Sequence, residues 1–365
     1  MTIYNAAALR QAMASARLGH FEPARLVQQT LSRHGLSADA SVGVPCAART
    51  AGSGLGEIFG SSLRPAQSRP GSARSERRSR SDIPASADFA RHTFSCSVGS
   101  RDFQLYVPAS ANGEPNSLIV MLHGCTQTPE DFAAGTAMNA LAETHGFIVA
   151  YPAQSRGANQ QTCWNWFSRG DQKRDRGEPA IIAGLTRQIC EAHSIPATRT
   201  FVAGLSAGGA MAVIMGETYP ELYSGVGVHS GLPYGAARDV SSAFSAMGGK
   251  PLPGVTQQQS ATPPRTIVFH GSSDSTVHPL NGDMVARNAE PSGLSAQLQR
   301  TESGTSEGRS FEKRITLGAN GRSSIEHWII DGLGHAWSGG NSAGSYVDPD
   351  GPDASTAMVR FFLEL

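Results

Sequence analysis

Residues 200–216 read TFVAGLSAGGAMAVIMG, and this stretch limits the possible folds more sharply than any other in the chain. An apolar run enters Gly204-Leu205-Ser206-Ala207-Gly208, and a small-residue helical pattern leaves it. This is a G-x-S-x-G turn between a strand and a helix. A serine in so tight a turn is held in a strained backbone conformation. Small residues are therefore needed at 204 and 208 to avoid clashes while Oγ stands clear above the sheet. Ser206 is thus a candidate nucleophile, and a capping serine in an ordinary small-residue turn is the plainer alternative.

The surrounding pattern agrees with such a turn. Short apolar runs at 103–107, 118–122, 147–151, 200–203, 225–229, 266–270 and 325–330 predict strands. Helical periodicity fills 133–145, 179–193, 207–218 and 282–289, with a last helix near 354–363. Strands that alternate with helices imply a mostly parallel sheet covered on both faces, an α/β domain spanning 91–365.

The chain before it differs in composition. Residues 1–90 hold 11 basic and 6 acidic side chains, against 19 and 24 in the remainder, so a net charge of zero hides two unlike regions. Residues 1–36 predict a helical hairpin with one apolar stripe through Leu9 and Met13 and another through Leu26, Val27 and Leu31. A lone hairpin cannot bury both faces, so it docks on the main domain or on a partner. Residues 37–90 lose all periodicity, and 61–81 contain seven Ser and six Arg, which predicts a flexible linker. The arginines could attract phosphates, but without interleaved aromatic residues no nucleic-acid partner is expected.

No run of eighteen apolar residues occurs, so no membrane span is expected. The first residues lack a basic segment followed by an apolar core and a cleavage site, and the expectation is a cytoplasmic protein. Five cysteines in so long a chain are not the framework of a disulfide-dense scaffold. No CxxC pair or HExxH occurs, and Gly52–Gly56 lacks the lysine and preceding strand of a phosphate loop; neither metal nor cofactor is expected.

A serine hydroxyl needs a base to accept its proton and a carboxylate to orient that base. Asp274 follows the strand at 266–270, where loops over the carboxyl edge of a sheet carry functional groups. Asp331, Asp283 and Asp239 are its rivals. His335, in the glycine-rich loop DGLGHAWSGG, follows the strand at 325–330 and is the candidate base, with His278 second. His123 and His270 each precede a glycine at a strand end and read as loop-shaping residues. A tetrahedral intermediate also needs two donors for its oxyanion. The backbone amides of Ala207, at the helix start, and Cys125, in the loop after 118–122, are the candidates.

Taken together, Leu122-His123-Gly124-Cys125-Thr126-Gln127, Cys163-Trp164-Asn165-Trp166-Phe167, the Ser206 turn, His270-Gly271 with Asp274, and Gly334-His335-Ala336-Trp337-Ser338-Gly339-Gly340 resemble the poly(3-hydroxybutyrate) depolymerase family of esterases. The likeness covers roughly residues 94–365. It implies an α/β-hydrolase fold and ester hydrolysis, with Ser206, Asp274 and His335 matching the family triad. Extracellular members are usually exported and often carry a polymer-binding module. Neither feature is visible in this sequence, so feruloyl or acetyl-xylan type esters, or other small esters, are alternative substrates. A binding protein on a hydrolase scaffold is the alternative from another class.

Trp337, Trp164 and Trp166 fall in loops expected near the site and are candidate substrate-binding residues, Trp337 first; packing over the sheet is the competing role. Cys125 and Cys163 read either as a bridge that would pin the oxyanion amide or as two thiols.

Overall fold

A computed structural model describes residues 87–111, 114–252, 263–290 and 299–365. The expected hairpin and most of the expected linker, up to residue 86, lie outside the described residues; the linker's last residues are a correction, since Asp88–Ala90 already belong to the first strand, where they pair with Val107–Leu105. Ten strands form one sheet in the order β1-β2-β4-β3-β5-β6-β7-β10-β9-β8. They are β1 (Asp88–Cys96), β2 (Gly99–Val107), β3 (Leu118–Leu122), β4 (Ile148–Pro152), β5 (Thr200–Leu205), β6 (Gly225–His229), β7 (Arg265–Gly271), β8 (Gln299–Ser306), β9 (Arg309–Leu317) and β10 (Ser323–Ile330). The six from β4 to β10 in sheet order run parallel, while β1, β2, β8 and β9 pair antiparallel at the edges.

Every residue of β3, β4, β5 and β6 is buried. Their unbroken apolar composition follows, because helices cover both faces. Alternation then sorts the side chains. Leu118, Val120 and Leu122 pack with helices α3 (Gly177–Ala192) and α4 (Ala207–Thr218). Ile119 and Met121 face the other way, toward α1 (Pro129–Thr136), α2 (Met138–His145) and α7 (Ala354–Leu363). Each face is a separate apolar cluster, the two-sided core of an α/β domain.

Three differences from the sequence expectation have physical causes. The helix expected over 133–145 is two helices, broken at Ala137 in the left-handed region with φ 52°. At the break the Gly135 carbonyl accepts the Asn341 amide at 2.8 Å, and a Cβ at Gly135 would lie 2.9 Å from Val347. Tertiary docking of the 340–347 loop thus overrides local helix preference. Strands β1, β8 and β9 lie outside the predicted set: β1 and β8 are largely exposed, polar-rich runs, and in β9 the charged residues of RSFEKRITL mask a strand that buries only Ile315 and Thr316. Helix α5 (Val240–Met247), capped reciprocally by Asp239 and Ser242, and the short pair β11 (Trp337–Ser338) and β12 (Val347–Asp348) were also missed. Helix α6 (Leu280–Asn288) matches the helix expected at 282–289 to within two residues at each end.

The topology fixes where chemistry can occur. From β3 the chain moves outward to β4, then crosses back to place β5 on the other side of β3. Loops leaving β3 and β5 in opposite directions open a crevice at their carboxyl ends. Leu122 pairs in register with Gly204, so the loop after β3 begins beside the Ser206 turn.

Candidate active site

Ser206 sits between β5 and α4 with φ 58° and ψ −118°, a conformation that costs a non-glycine residue about 1–3 kcal/mol. The surroundings impose it. Its amide donates to the His229 carbonyl at 2.8 Å, and its carbonyl accepts the Ala210 amide at 2.9 Å. A Cβ on Gly208 would fall 2.0 Å from the Leu122 carbonyl oxygen, and one on Gly204 would meet Gly208 at 2.4 Å. The two glycines therefore let the turn press against β3.

Asp274 and His335 leave neighbouring parallel strands, β7 and β10, and meet across 61 residues of sequence. His335 Nδ1 lies 2.8 Å from Asp274 Oδ2. The other carboxylate oxygen accepts the Thr276 and Val277 amides at 3.0 and 2.8 Å. Burial opposes the Asp274 charge, yet the His335 ring, its hydrogen bond, His270 and the Val277 amide outweigh it and hold the carboxyl at about 2. Asp274 is thus ionised at neutral pH and its contact fixes a proton on His335 Nδ1, which puts the lone pair of the neutral ring on Nε2.

None of the rival groups is arranged this way. Asp331 is exposed and accepts from Ser272, Asp283 pairs with Arg314 at 3.3 Å, and Asp239 caps α5. His278 is exposed, and its Nδ1 accepts the Leu280 amide. The histidines at strand ends shape loops, as their positions suggested. His123 donates through Nδ1 to the Gly124 carbonyl and accepts the Gln154 amide on Nε2; burial lowers it to about 4. His229 accepts the Ser338 amide at 3.1 Å, and burial lowers it to about 3. His270 donates to the Val277 carbonyl at 2.8 Å.

Ser206 and His335 open into one cleft of about 920 Å³. Ala207 and Cys125 line it as well, and Cys125 forms a disulfide with Cys163 that ties the loop after β3 to the 159–167 loop. The Gly124 amide is occupied by Gln127 Oε1 at 2.9 Å, so Cys125 carries the next amide along that loop. Of the three tryptophans, only Trp166 lines the cleft. Trp337 and Trp164 are corrections: both are fully buried and absent from its wall. Trp337 stacks on His229, meets Phe132 edge-on and donates to Ser355 at 3.0 Å, so proximity in sequence to His335 did not bring its ring to the site.

Several positioning groups had no role assigned from the sequence. Gln127, which closes the Leu122–Gln127 motif, is one. Glu178 is another: at the start of α3, it accepts the Asn165 backbone amide and side chain, each at 2.8 Å, binds Gln154 and pairs with Arg101 at 3.3 Å. Burial raises its carboxyl above the ordinary range. A lone glutamate in a helix looks solvent-facing until the 159–167 loop folds over it.

Among the described residues, no group of three or more His, Cys, Asp or Glu is placed to hold a metal ion, and no helix is long and apolar enough to cross a membrane. A buried, mostly parallel sheet with a strained serine at its topological crossover defines the α/β-hydrolase class. Residues 101–290 match the family described as Esterase PHB depolymerase, and the chain belongs to that family. A poly(3-hydroxyalkanoate) depolymerase C of Paucimonas lemoignei is 34% identical over 249 residues, 64% of this chain and 56% of that protein. The chain thus spans little more than half of that relative's length. An acetylxylan esterase A of Aspergillus oryzae is 27% identical over 72% of this chain and 89% of its own. The solved acetyl xylan esterase of Aspergillus awamori superposes with a TM-score of 0.55 at 20% identity, covering 73% of this chain and 94% of its own, a likeness of fold.

Proposed function

We propose that the protein cleaves poly- or oligo(3-hydroxybutyrate)-type polyesters through a serine acyl-enzyme. Ser206 Oγ attacks the ester carbonyl while His335 Nε2 takes its proton, and Asp274 holds the imidazole in the required tautomer. The Cys125 and Ala207 amides receive the oxyanion, helped by the positive end of α4. His335 returns the proton to the departing alcohol. Water, activated by the same histidine, then releases the acid.

The observation that carries the substrate reading is the cleft lining. Leu205, Leu232, Val277 and the 166–167 aromatic pair contribute to it, and none of its residues is Asp, Glu, Lys or Arg. Such a wall suits an uncharged aliphatic acyl unit. Acetyl-xylan esters are the second reading, favoured by the names of the Aspergillus relatives.

The two are separated by measuring product release from amorphous poly(3-hydroxybutyrate) and acetate release from acetylated xylan, with wild type and Ser206→Ala. Soluble hydroxyacids from the polymer, abolished in the variant, are expected. Acetate release with an untouched polymer would replace the first reading by the second.

A further inference from the structure

Helix α5 is built into the cleft as a fixed wall. Val240, Ala243, Phe244 and Met247 all line it, and their spacing of 0, 3, 4 and 7 puts them on one helical face. Ala243 is buried, while Phe244 and Met247 are half-buried at the cleft surface.

Both ends of the helix are tied to loops of the site. At the carboxyl end, the Met247 carbonyl accepts the His278 amide at 2.8 Å and the Ala246 carbonyl accepts Asn281 Nδ2 at 3.0 Å, next to the loop that carries Asp274. At the amino end, Gln172 Nε2 donates at 2.8 Å to both the Ala237 and Trp166 carbonyls. Tyr234 closes this link by donating to the Gln172 carbonyl at 2.7 Å. The stripe therefore keeps a set distance from Ser206, as a selective wall must.

We infer that the α5 stripe sets the length of alkyl group accepted beside Ser206, with Phe244 and Ala243 as specificity-determining residues. The inference rests on the proposed ester-cleaving role of Ser206. A methylene that finds no room in an apolar pocket costs tenfold or more in kcat/KM, so one ring removed or one isobutyl group added is enough to move the preference.

The test is the ratio of kcat/KM for 4-nitrophenyl octanoate to that for 4-nitrophenyl butyrate. Phe244→Ala opens the wall and is expected to raise the ratio about tenfold; Ala243→Leu narrows it and is expected to lower the ratio by a similar factor. Phe244 is only half-buried, so its variant decides the matter even where Ala243→Leu does not fold. Ratios equal to wild type in folded variants overturn the inference. Wild-type turnover that survives in Ser206→Ala would instead overturn the assignment of the nucleophile, a result that leaves a different signature.

Discussion

Gln127 accepts the Gly124 amide on Oε1 at 2.9 Å, and this contact sets the shape of the loop that presents Cys125 to the cleft. The glutamine is itself anchored, donating to Asp131 Oδ2 at 2.9 Å and to the Ser345 carbonyl at 3.0 Å. Its role would be to aim an oxyanion donor without touching substrate. Gln127→Ala is expected to lower kcat roughly 10- to 100-fold with little change in KM, less than the ~10²–10³ lost with an oxyanion donor itself. Steady-state kinetics on a soluble ester check this, and a rise in KM alone would refute it.

Asp274 is placed to fix the tautomer of His335, not to exchange protons. Asp274→Asn preserves the shape but removes the charge that selects Nδ1–H. The expected loss in kcat is about 10³–10⁴-fold at neutral pH. A loss below tenfold in a folded variant would argue for another acid.

The Cys125–Cys163 bridge closes 38 residues of sequence and joins two walls of the cleft. Replacing both cysteines by serine should destabilise the fold by about 3 kcal/mol. It should also reduce ester turnover, since the Cys125 amide loses its anchor. Thermal unfolding and kinetics on the double variant, beside the reduced wild type, test both effects; unchanged turnover would detach the bridge from catalysis.

Stability should fall as the solution becomes acidic, and the buried histidines set the window. His123 and His229 titrate at about 4 and about 3 when folded, against 6.5 when unfolded. Between pH 6.5 and 4 the unfolded chain therefore binds more protons, so each histidine removes up to about 1.4 kcal/mol per pH unit as pH drops. Asp274, lowered from 3.8 to about 2, adds stability that is present above 3.8 and lost below it. Urea unfolding from pH 7.5 to 4.5 should show the slope, and His123→Gln should make it shallower by one proton's worth.

The Ser206 turn was legible because its constraint is local: within a few residues, glycine at 204 and 208 either fits or clashes. The buried strands were legible for a similar reason, since a strand covered on both faces must be apolar throughout, and β3 and β6 appear at the boundaries their composition predicts. The chain order of Ser206, Asp274 and His335 pointed to loops at strand ends, and a parallel sheet gathers such loops at one edge.

Only the tertiary structure decided the rest. Trp337 turned into the core, Trp166 toward the cleft, Cys125 found Cys163, and Gln127, Glu178 and α5 became parts of the site wall or its supports. Each outcome depends on where a side chain points and on what a distant segment packs against it. The pattern of residues along the chain encodes which faces are apolar and which turns are tight, but the pairing of 125 with 163, which the sequence left open, arises only when separate loops come together.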